Sequence, residues 1–365
     1  SRINSKDIIM TSNRHQSIFL QLATLLALTP QVALGDVTVS GRVEQRFVDT
    51  EATINSITIS DSGQNFAKHF SPIVQVSPAT STLAIHGAHH LPLLSQKKLS
   101  GKNCAWINGD FANYKKKRTD SHLVETGACK DMHNGIRGGI SIGKSKTEQS
   151  LDSIGNSKIN GNYILGELDY LLGRTTLLST TLLHGRWNAE INRVYLNAGL
   201  EDRSMGTTTI KATSLRLRID WLELHTIRNT TITPKAEYTL TRSEVDGYTE
   251  TTGGFPARFD PQSHTARESR VGLIIERNLN AQTTVRGITE AVHRFDKSGA
   301  AFSGEVVDMF PFSIPGAENR QEWIRIGGEI DHQIDKDSFV SFSLMRSSKG
   351  EDADVSGAIS WKGNF

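Results

Sequence analysis

The chain of 365 residues has few cysteines, few prolines, no repeated long apolar runs and no excess of either charge. Its two cysteines form no CxxC pair, which argues against a cysteine-bound zinc site. A helical membrane protein needs repeated apolar stretches of about 20 residues, and a mean hydropathy of −0.35 excludes that class. A transmembrane β-barrel is compatible with this composition, because only every second residue of a barrel strand faces lipid. Lys and Arg total 41 against 39 for Asp and Glu, so the basic excess typical of a nucleic-acid-binding protein is missing.

Recognisable catalytic motifs are missing as well. No GxSxG, HExxH or P-loop pattern occurs, and the acidic and histidine residues are scattered. We therefore expect no enzyme and no cofactor, although scattered side chains could still converge in an enzymatic barrel. The motif IHGAHHLP brings His86, His89 and His90 together, and histidine clusters can bind Zn²⁺ or Cu²⁺. No carboxylate or cysteine lies close by in the sequence, which favours a solvated linker without a metal.

The N-terminal region has the pattern of a secretory signal peptide. Residues 17–35 contain a short apolar core, then Pro30, with Ala33 and Gly35 at the −3 and −1 positions of a cleavage site. We predict a signal peptide over residues 1–35, in which residues 1–9 precede a natural start at Met10. The alternative is a buried amphipathic helix. Export to an oxidising compartment would permit a disulfide between Cys104 and Cys129, and the alternative is two free thiols.

Two short segments follow the predicted signal peptide. Residues 36–62 are rich in Val, Thr and Ile and predict short strands, but they are too few to form a core alone. Residues 63–102 have weak helical spacing that is interrupted by three prolines, which predicts short helices or a linker.

From residue 103 onward, runs of about 10 to 14 residues alternate in polarity, as barrel strands do. The predicted strands are 103–113, 122–130, 135–146, 160–172, 174–185, 208–222, 229–243, 265–278, 282–294, 319–334, 337–348 and 355–365. The last run is the clearest, with Ile359 and Trp361 on one face and Ser360 and Lys362 on the other.

Several of these runs carry charged residues at alternate positions. A charge inside a strand needs an aqueous neighbour, which is bulk water for a soluble sandwich and the lumen for a transmembrane barrel. For a barrel, we expect ion pairs in the lumen that hold a plug and tune conductance. The predicted luminal charges are Arg216, Arg218, Arg270, Glu276, Arg325 and Glu329.

The connections between the runs also alternate in length. Short breaks at 173–174, 224–228, 279–282 and 335–337 alternate along the chain with long breaks at 186–207, 244–264 and 295–318. An outer-membrane barrel has an even strand number, short periplasmic turns and longer outer loops. Aromatic residues near run ends predict interfacial girdles. They are Trp106, Tyr163, Tyr170, Trp187, Trp221, Tyr238, Phe259, Trp323 and Trp361.

Four local patterns, taken in their order along the chain, resemble the autotransporter β-domain, the translocator of type V secretion. They are CAWINGDFANY at 104–114, GGFPARFDPQSHT at 253–265, EAVHRF at 290–295 and ISWKGNF at 359–365. The resemblance covers residues 103–365. It implies a 12-stranded antiparallel transmembrane barrel with a helical or linker segment in its lumen. It also implies assembly by the outer-membrane barrel-insertion machinery and periplasmic chaperones. The expected assembly signal is the C-terminal Phe365 together with Trp361, which lies on the same face of the last strand.

The chain departs from the family between signal peptide and barrel, where members usually carry a passenger of several hundred residues. Here only residues 36–102 lie in that position, and we expect a rudimentary passenger followed by a linker or plug. The predicted function is a monomeric outer-membrane translocator that threads its own N-terminal segment to the cell surface of a Gram-negative bacterium. The alternatives are a stand-alone surface adhesin that binds through its long loops and a soluble periplasmic or secreted β-protein.

Two further features follow from this prediction. Cys104 and Cys129 lie 25 residues apart on neighbouring predicted strands, and a disulfide there would stabilise the fold by about 3 kcal/mol on the chain-entropy model. The basic run 115–118 connects the first two strands. On the outer side it could contact lipopolysaccharide phosphates, and on the periplasmic side it would be a solvated turn. Partners expected from the sequence are thus outer-membrane lipid and the assembly machinery, with no nucleic acid.

Overall fold

The computed structural model describes residues 38–39, 81–87, 91–96, 101–115, 117–150, 155–197 and 200–365. The predicted signal peptide, most of the predicted passenger, and His89 and His90 lie outside the described residues.

Twelve antiparallel strands form the wall of the molecule. They are β1 (Asn103–Tyr114), β2 (Thr119–Asp131), β3 (Ile136–Ser150), β4 (Gly155–Leu172), β5 (Thr176–Asn197), β6 (Leu200–Trp221), β7 (Thr230–Val245), β8 (Gln262–Asn278), β9 (Thr283–Arg294), β10 (Glu322–Gln333), β11 (Ser338–Ser347) and β12 (Val355–Asn364). Successive strands pair with each other, and β12 pairs with β1 to close the ring. A closed ring leaves no barrel edge with unpaired backbone groups, as a hydrocarbon environment requires. The predicted 12-stranded antiparallel transmembrane barrel is confirmed.

The two faces of the wall differ in polarity because side chains along a strand alternate in direction. On β12, Ile359 is 60% exposed on the outside, whereas Ser360 and Lys362 face inward and are buried. The other strands follow the same rule, and their outward Ile, Leu, Val and Phe residues form one apolar belt around the barrel. Such a belt matches the lipid-facing band of a transmembrane barrel.

The two ends of the barrel carry different connections. At one end, here the short-turn end, the strands are joined through 132–135, 173–175, 222–229, 279–282 and 334–337. The other, long-loop end carries two extended connections, 246–261 and 295–321, and a shorter loop at 348–354. The basic turn 115–118 lies at this long-loop end, because it joins β1 to β2.

The predicted long break at 186–207 is wrong. β5 continues to Asn197 and β6 begins at Leu200, so this stretch is a strand hairpin that extends past the apolar belt. Beyond the belt the polarity of the two faces is reversed: the inward side chains include the large apolar residues Trp187 and Ile191, and the outward side chains of Asn188 and Glu190 are polar. Polar outward positions gave this stretch the composition of a loop, although its backbone is strand.

The extended connections fold into a small sheet at the long-loop end. Strands at 248–249, 257–259, 302–306 and 310–314, together with residues 38–39, form this five-stranded antiparallel sheet. The GGFPARF motif lies in this region, where Arg193 of β5 pairs with Glu250 at 2.6 Å. One face of the small sheet holds an apolar cluster of Ala257, Phe259, Phe302, Val306, Phe312 and Ile314.

The predicted aromatic girdle is wrong for more than half of its members. Tyr170, Trp221, Tyr238 and Trp361 are exposed on the outer face. The period of the strand points other aromatic side chains inward, where wall glycines leave room for them. Trp106 packs over Gly127, and a side chain at Gly185 would collide with Trp187. The aromatic residues that lie inside instead of in the girdle are Trp106, Tyr163, Trp187 and Trp323, while Phe259 belongs to the small sheet.

Candidate functional site: the barrel lumen

A segment of the chain that precedes β1 lies inside the barrel. Residues 81–86 are helical, and a 3₁₀ turn spans Leu93–Ser95. Among the described residues, no helix is long and apolar enough to cross a membrane. Leu83, Ala84 and Ile85 are buried in one cluster with wall residues, and Leu93 is buried in another with Trp106. We call residues 81–87 and 91–96 the luminal segment.

Two arginines of the wall bind the last carbonyl groups of the helical part. Arg216 Nη1 donates to the Ile85 carbonyl at 2.7 Å, and Arg325 Nη2 donates to the His86 carbonyl at 2.7 Å. The final carbonyls of a helix have no partner within the helix and carry partial negative charge. Charged donors from β6 and β10 therefore satisfy groups that would otherwise be buried without a hydrogen bond.

Two carboxylates of the wall bind the opposite kind of backbone group. The Leu93 N–H donates to Glu167 Oε1 at 2.9 Å, and the Leu94 N–H donates to Asp169 Oδ2 at 2.8 Å. Both carboxylates project from β4, two residues apart, and therefore face the same side of the wall. They satisfy the free N–H groups at the start of the 3₁₀ turn.

His86 makes polar contacts through its ring as well as through its backbone. Its Nδ1 lies 3.2 Å from Glu237 Oε1, and its Nε2 lies 3.2 Å from Thr239 Oγ1. These contacts connect the luminal segment to β7. Within the described part of the chain, no group of three or more His, Cys, Asp or Glu residues is placed to hold a metal ion.

A network of charges surrounds the end of the helical part. Arg270 of β8 binds Asp352 with both terminal nitrogens, at 2.7 and 2.8 Å, and also binds Glu268 at 2.9 Å. Asp352 belongs to the loop 348–354, so this loop folds inward over the lumen; Trp323 Nε1 also donates to Asp352 at 2.8 Å. Ala353 of the same loop is in the apolar cluster that contains Ile85.

A second charge cluster lies nearer the short-turn end. Arg286 of β9 binds Glu276 at 2.7 Å and binds Glu329 and Asp331 at 2.6 Å each. A third pair joins Arg218 to Asp220 at 2.6 Å. Buried charges of this kind are tolerated because each has an opposite charge and hydrogen-bond partners.

The six charges that the sequence predicted for the lumen all face inward and all lie in these ion pairs. Arg216 contacts Glu167 at 3.4 Å, and Arg325 contacts Glu290 at 3.4 Å. The sequence analysis did not identify several of their partners, although these follow the same inward phase of their strands. The missed luminal residues are Glu167, Asp169, Lys235, Glu237, Arg286, Glu290 and Asp331, and Asp352 from the loop 348–354.

The two cysteines lie directly opposite each other on β1 and β2, and a disulfide joins them. Their Cα atoms are 4.9 Å apart. Both side chains are buried near the short-turn end, next to Leu93 and Trp106. The bond therefore lies where the luminal segment leads into the first strand.

The remaining sequence-predicted residues lie outside the lumen. Trp361 and Phe365 face outward at the short-turn end, where Phe365 is 73% exposed. The Phe365 N–H still donates to the Asn103 carbonyl at 3.1 Å. In the basic turn, Lys117 pairs with Glu351 at 2.7 Å, and the Lys115 N–H donates to Asp354 at 2.7 Å.

A closed 12-stranded barrel with an apolar belt and an occupied polar lumen has the architecture of a plugged outer-membrane β-barrel. The sequence model of the autotransporter β-domain family matches residues 105–344. The chain belongs to that family, and its barrel is an outer-membrane barrel.

Solved structures share the fold. The translocator domain of the autotransporter NalP from Neisseria meningitidis is similar with a TM-score of 0.61 and 11% identity, over 84% of this chain and 99% of that one. The β-domain of the Bordetella autotransporter BrkA gives 0.51 and 18%, over 73% and 100%. The Pseudomonas putida toluene transporter TodX gives 0.50 and 9%, over 78% and 93%, which is a likeness of fold alone. No curated protein matched the sequence.

Proposed function

We propose that the barrel carries the N-terminal segment of its own chain to the cell surface and is then occluded by the luminal segment. The observation that carries this proposal is the burial of the luminal segment, residues 81–87 and 91–96, in the lumen, with hydrogen bonds to the wall from both parts. In this function Arg216, Arg325, Glu167 and Asp169 hold the segment in place.

The direction of the luminal segment supports export toward the long-loop end. The chain enters the wall at the short-turn end, where the Gly101 N–H donates to Asn364 at 3.1 Å. Farther toward the N-terminus, Leu83 and Ile85 share a cluster with Tyr114 and Ala353, both of which lie at the long-loop end. Residues 38–39 pair with residues 312–313 of an extended loop, which also favours an N-terminal segment on the outer side.

The rest of the proposal follows the domain order expected from the sequence. Residues 1–35 would direct export, residues 36–62 would be a rudimentary passenger, and residues 63–102 would be the linker and plug. No chemical step is needed, because the barrel supplies a polar path and the final docking of the segment closes it. The function is therefore transport without catalysis. Assembly would use the barrel-insertion machinery, with Phe365 as the recognised end, and the product would be a monomer.

The test is protease access to epitope tags in intact cells. One tag is inserted after Asp36, a second in the loop 246–261, and a control tag in the short turn 279–282. Export predicts loss of the first two tags and retention of the third until the cells are lysed. Retention of the tag after Asp36 beside loss of the loop tag would refute threading and leave the barrel topology intact.

A second candidate function is a stand-alone surface adhesin. The observation that favours it is the folded sheet at the long-loop end, which has its own apolar cluster and the exposed pair of Arg258 and Glu305 at 3.1 Å. Deletion of residues 300–316 would abolish binding of cells to host surfaces under this candidate. Under the translocator proposal, the same deletion would leave exposure of the tag after Asp36 unchanged.

A further inference from the structure

Basic residues lie on the outward face of β3 to β6, on the long-loop side of the apolar belt. Lys144 is the first outward residue after Ile140 and Ile142, which are 56% and 61% exposed. On β5, Arg186 follows the belt residue Leu182 after one intervening outward position. On β6, Lys211 occupies the corresponding place beyond Leu215. These cations are therefore placed at the boundary of the belt instead of in the loops.

The strand register brings these residues into one row. Lys144 lies opposite Asn162, Asn162 lies opposite Arg186, and Arg186 lies opposite Lys211. Neighbouring strands are about 4.8 Å apart, so the row extends about 14 Å along the wall. We call these four residues the basic row. Lys146 and Lys158 lie above it, farther from the belt.

Three carboxylates flank the basic row. Glu244 lies opposite Lys211 and pairs with Arg242 at 2.9 Å, and the other two lie farther from the belt. Lys146 pairs with Glu148 at 2.6 Å, and Lys211 pairs with Asp246 at 3.3 Å; both carboxylates lie on the side away from the belt. Among the described residues, no carboxylate lies within ion-pair distance of Lys144 or Arg186. The belt side of the row thus presents positive charge next to hydrocarbon-facing residues.

The opposite side of the barrel lacks this feature. The outward residue at the start of β10 is Glu322, whose side chain is 81% exposed and lies 3.5 Å from His293. The next outward residues toward the short-turn end are Ile324 and Ile326 of the belt. Outward arginines also occur singly on β7, β8 and β11, as Arg242, Arg267 and Arg346. What distinguishes β3 to β6 is that three cations lie in one register row.

We propose that the basic row binds the phosphate groups of a glycophospholipid of the outer leaflet, the lipid A portion of lipopolysaccharide. The acyl chains of that lipid would pack on the belt residues below the row, which fixes the depth of its headgroup. Arg186 suits a phosphate because its guanidinium can donate two parallel hydrogen bonds. The Asn162 amide supplies a neutral donor between the two cations. A soluble polyanion would not need the adjoining apolar surface, so the location favours lipid.

The test measures stabilisation of the purified full-length barrel by added lipid. The protein is folded in a zwitterionic detergent free of lipopolysaccharide, and unfolding on heating is followed by the change in gel mobility. The lipids are diphosphoryl lipid A, enzymatically dephosphorylated lipid A and phosphatidylglycerol. The variant K144Q/R186Q/K211Q removes the row. The matched control K130Q/R174Q/R277Q removes three exposed cations from the short-turn half of the barrel.

We expect diphosphoryl lipid A to raise the unfolding temperature of the wild type and of the control equally. The row variant should need at least about tenfold more lipid for half of that effect, because it removes three cations that attract the anionic headgroup. Equal responses of the row variant and the wild type would overturn the proposal. Equal responses to dephosphorylated lipid A or to phosphatidylglycerol would also overturn it, since binding would then not depend on the lipid A phosphates. If the triple variant does not fold, K144Q and R186Q are compared separately with K130Q and R277Q by the same criterion.

Discussion

Replacement of Arg325 by Gln should release the luminal segment without opening the barrel wall. Arg325 donates to the His86 carbonyl at 2.7 Å, and Gln is too short to make the same bond from β10. A hydrogen bond from a charged group contributes about 1.5–3 kcal/mol. A change of about 1.4 kcal/mol is a factor of ten in an equilibrium constant. The ratio of undocked to docked segment should therefore rise by about 10- to 100-fold.

Single-channel recording in planar bilayers measures this ratio as the fraction of time in a conducting state. A variant without residues 81–96 gives the reference conductance of an unoccupied lumen. R325Q should visit that conductance level far more often than the wild type. The matched control is R346Q, which removes an exposed outward arginine from β11, at the same end of the barrel.

The result that would refute this reasoning is equally rare opening of R325Q and the wild type, in the same bilayers in which the deletion variant conducts. The carbonyl contact would then not hold the segment. Frequent opening of R346Q would point instead to a general effect of lost charge on the barrel.

Three further predictions concern the wall. The double variant C104A/C129A should lose about 3 kcal/mol of stability, because the disulfide closes a 25-residue separation. On heating, its gel mobility should change at a lower temperature than that of the wild type. F365A should lower the amount of folded barrel in the outer membrane of cells severalfold, yet refold in detergent as the wild type does, since this side chain is 73% exposed. G185A should cost about 1–3 kcal/mol through a collision inside the barrel, whereas G166A, where an added methyl group meets no atom within 4 Å, should unfold at the wild-type temperature.

The strands were predictable because each buries one face and exposes the other over a fixed period. On β12, the alternation of Ile359 and Trp361 with Ser360 and Lys362 is sufficient to identify both faces. The same alternation predicts that the six charged residues face the lumen, because the apolar residues at the intervening positions face lipid. Local sequence carries this information whenever one face contacts lipid.

The features that were missed depend on contacts between distant parts of the chain. The hairpin beyond the belt has polar residues on its outer face, so the lipid signal that identifies the other strands is absent there. Trp187 lies inside the barrel instead of in the girdle because Gly161 of the neighbouring strand β4, as well as Gly185, leaves room for its ring, and the sequence around Trp187 does not reveal the contact with β4. Asp352 lies in a polar loop, and only the folded barrel brings it to Arg270. The small outer sheet likewise joins two loops that are separated by β8 and β9.

The contacts of the luminal segment distinguish the two directions in which a polypeptide can lie in the pore. Arginines meet carbonyl oxygens at Ile85 and His86, and carboxylates meet amide hydrogens at Leu93 and Leu94. A chain inserted in the reverse direction would turn its carbonyl dipoles toward Glu167 and its amide dipoles toward Arg216, and both arrangements are repulsive. The wall is therefore matched to the polarity of the peptide backbone at these four positions, in addition to the side-chain contacts of Ile85 and His86.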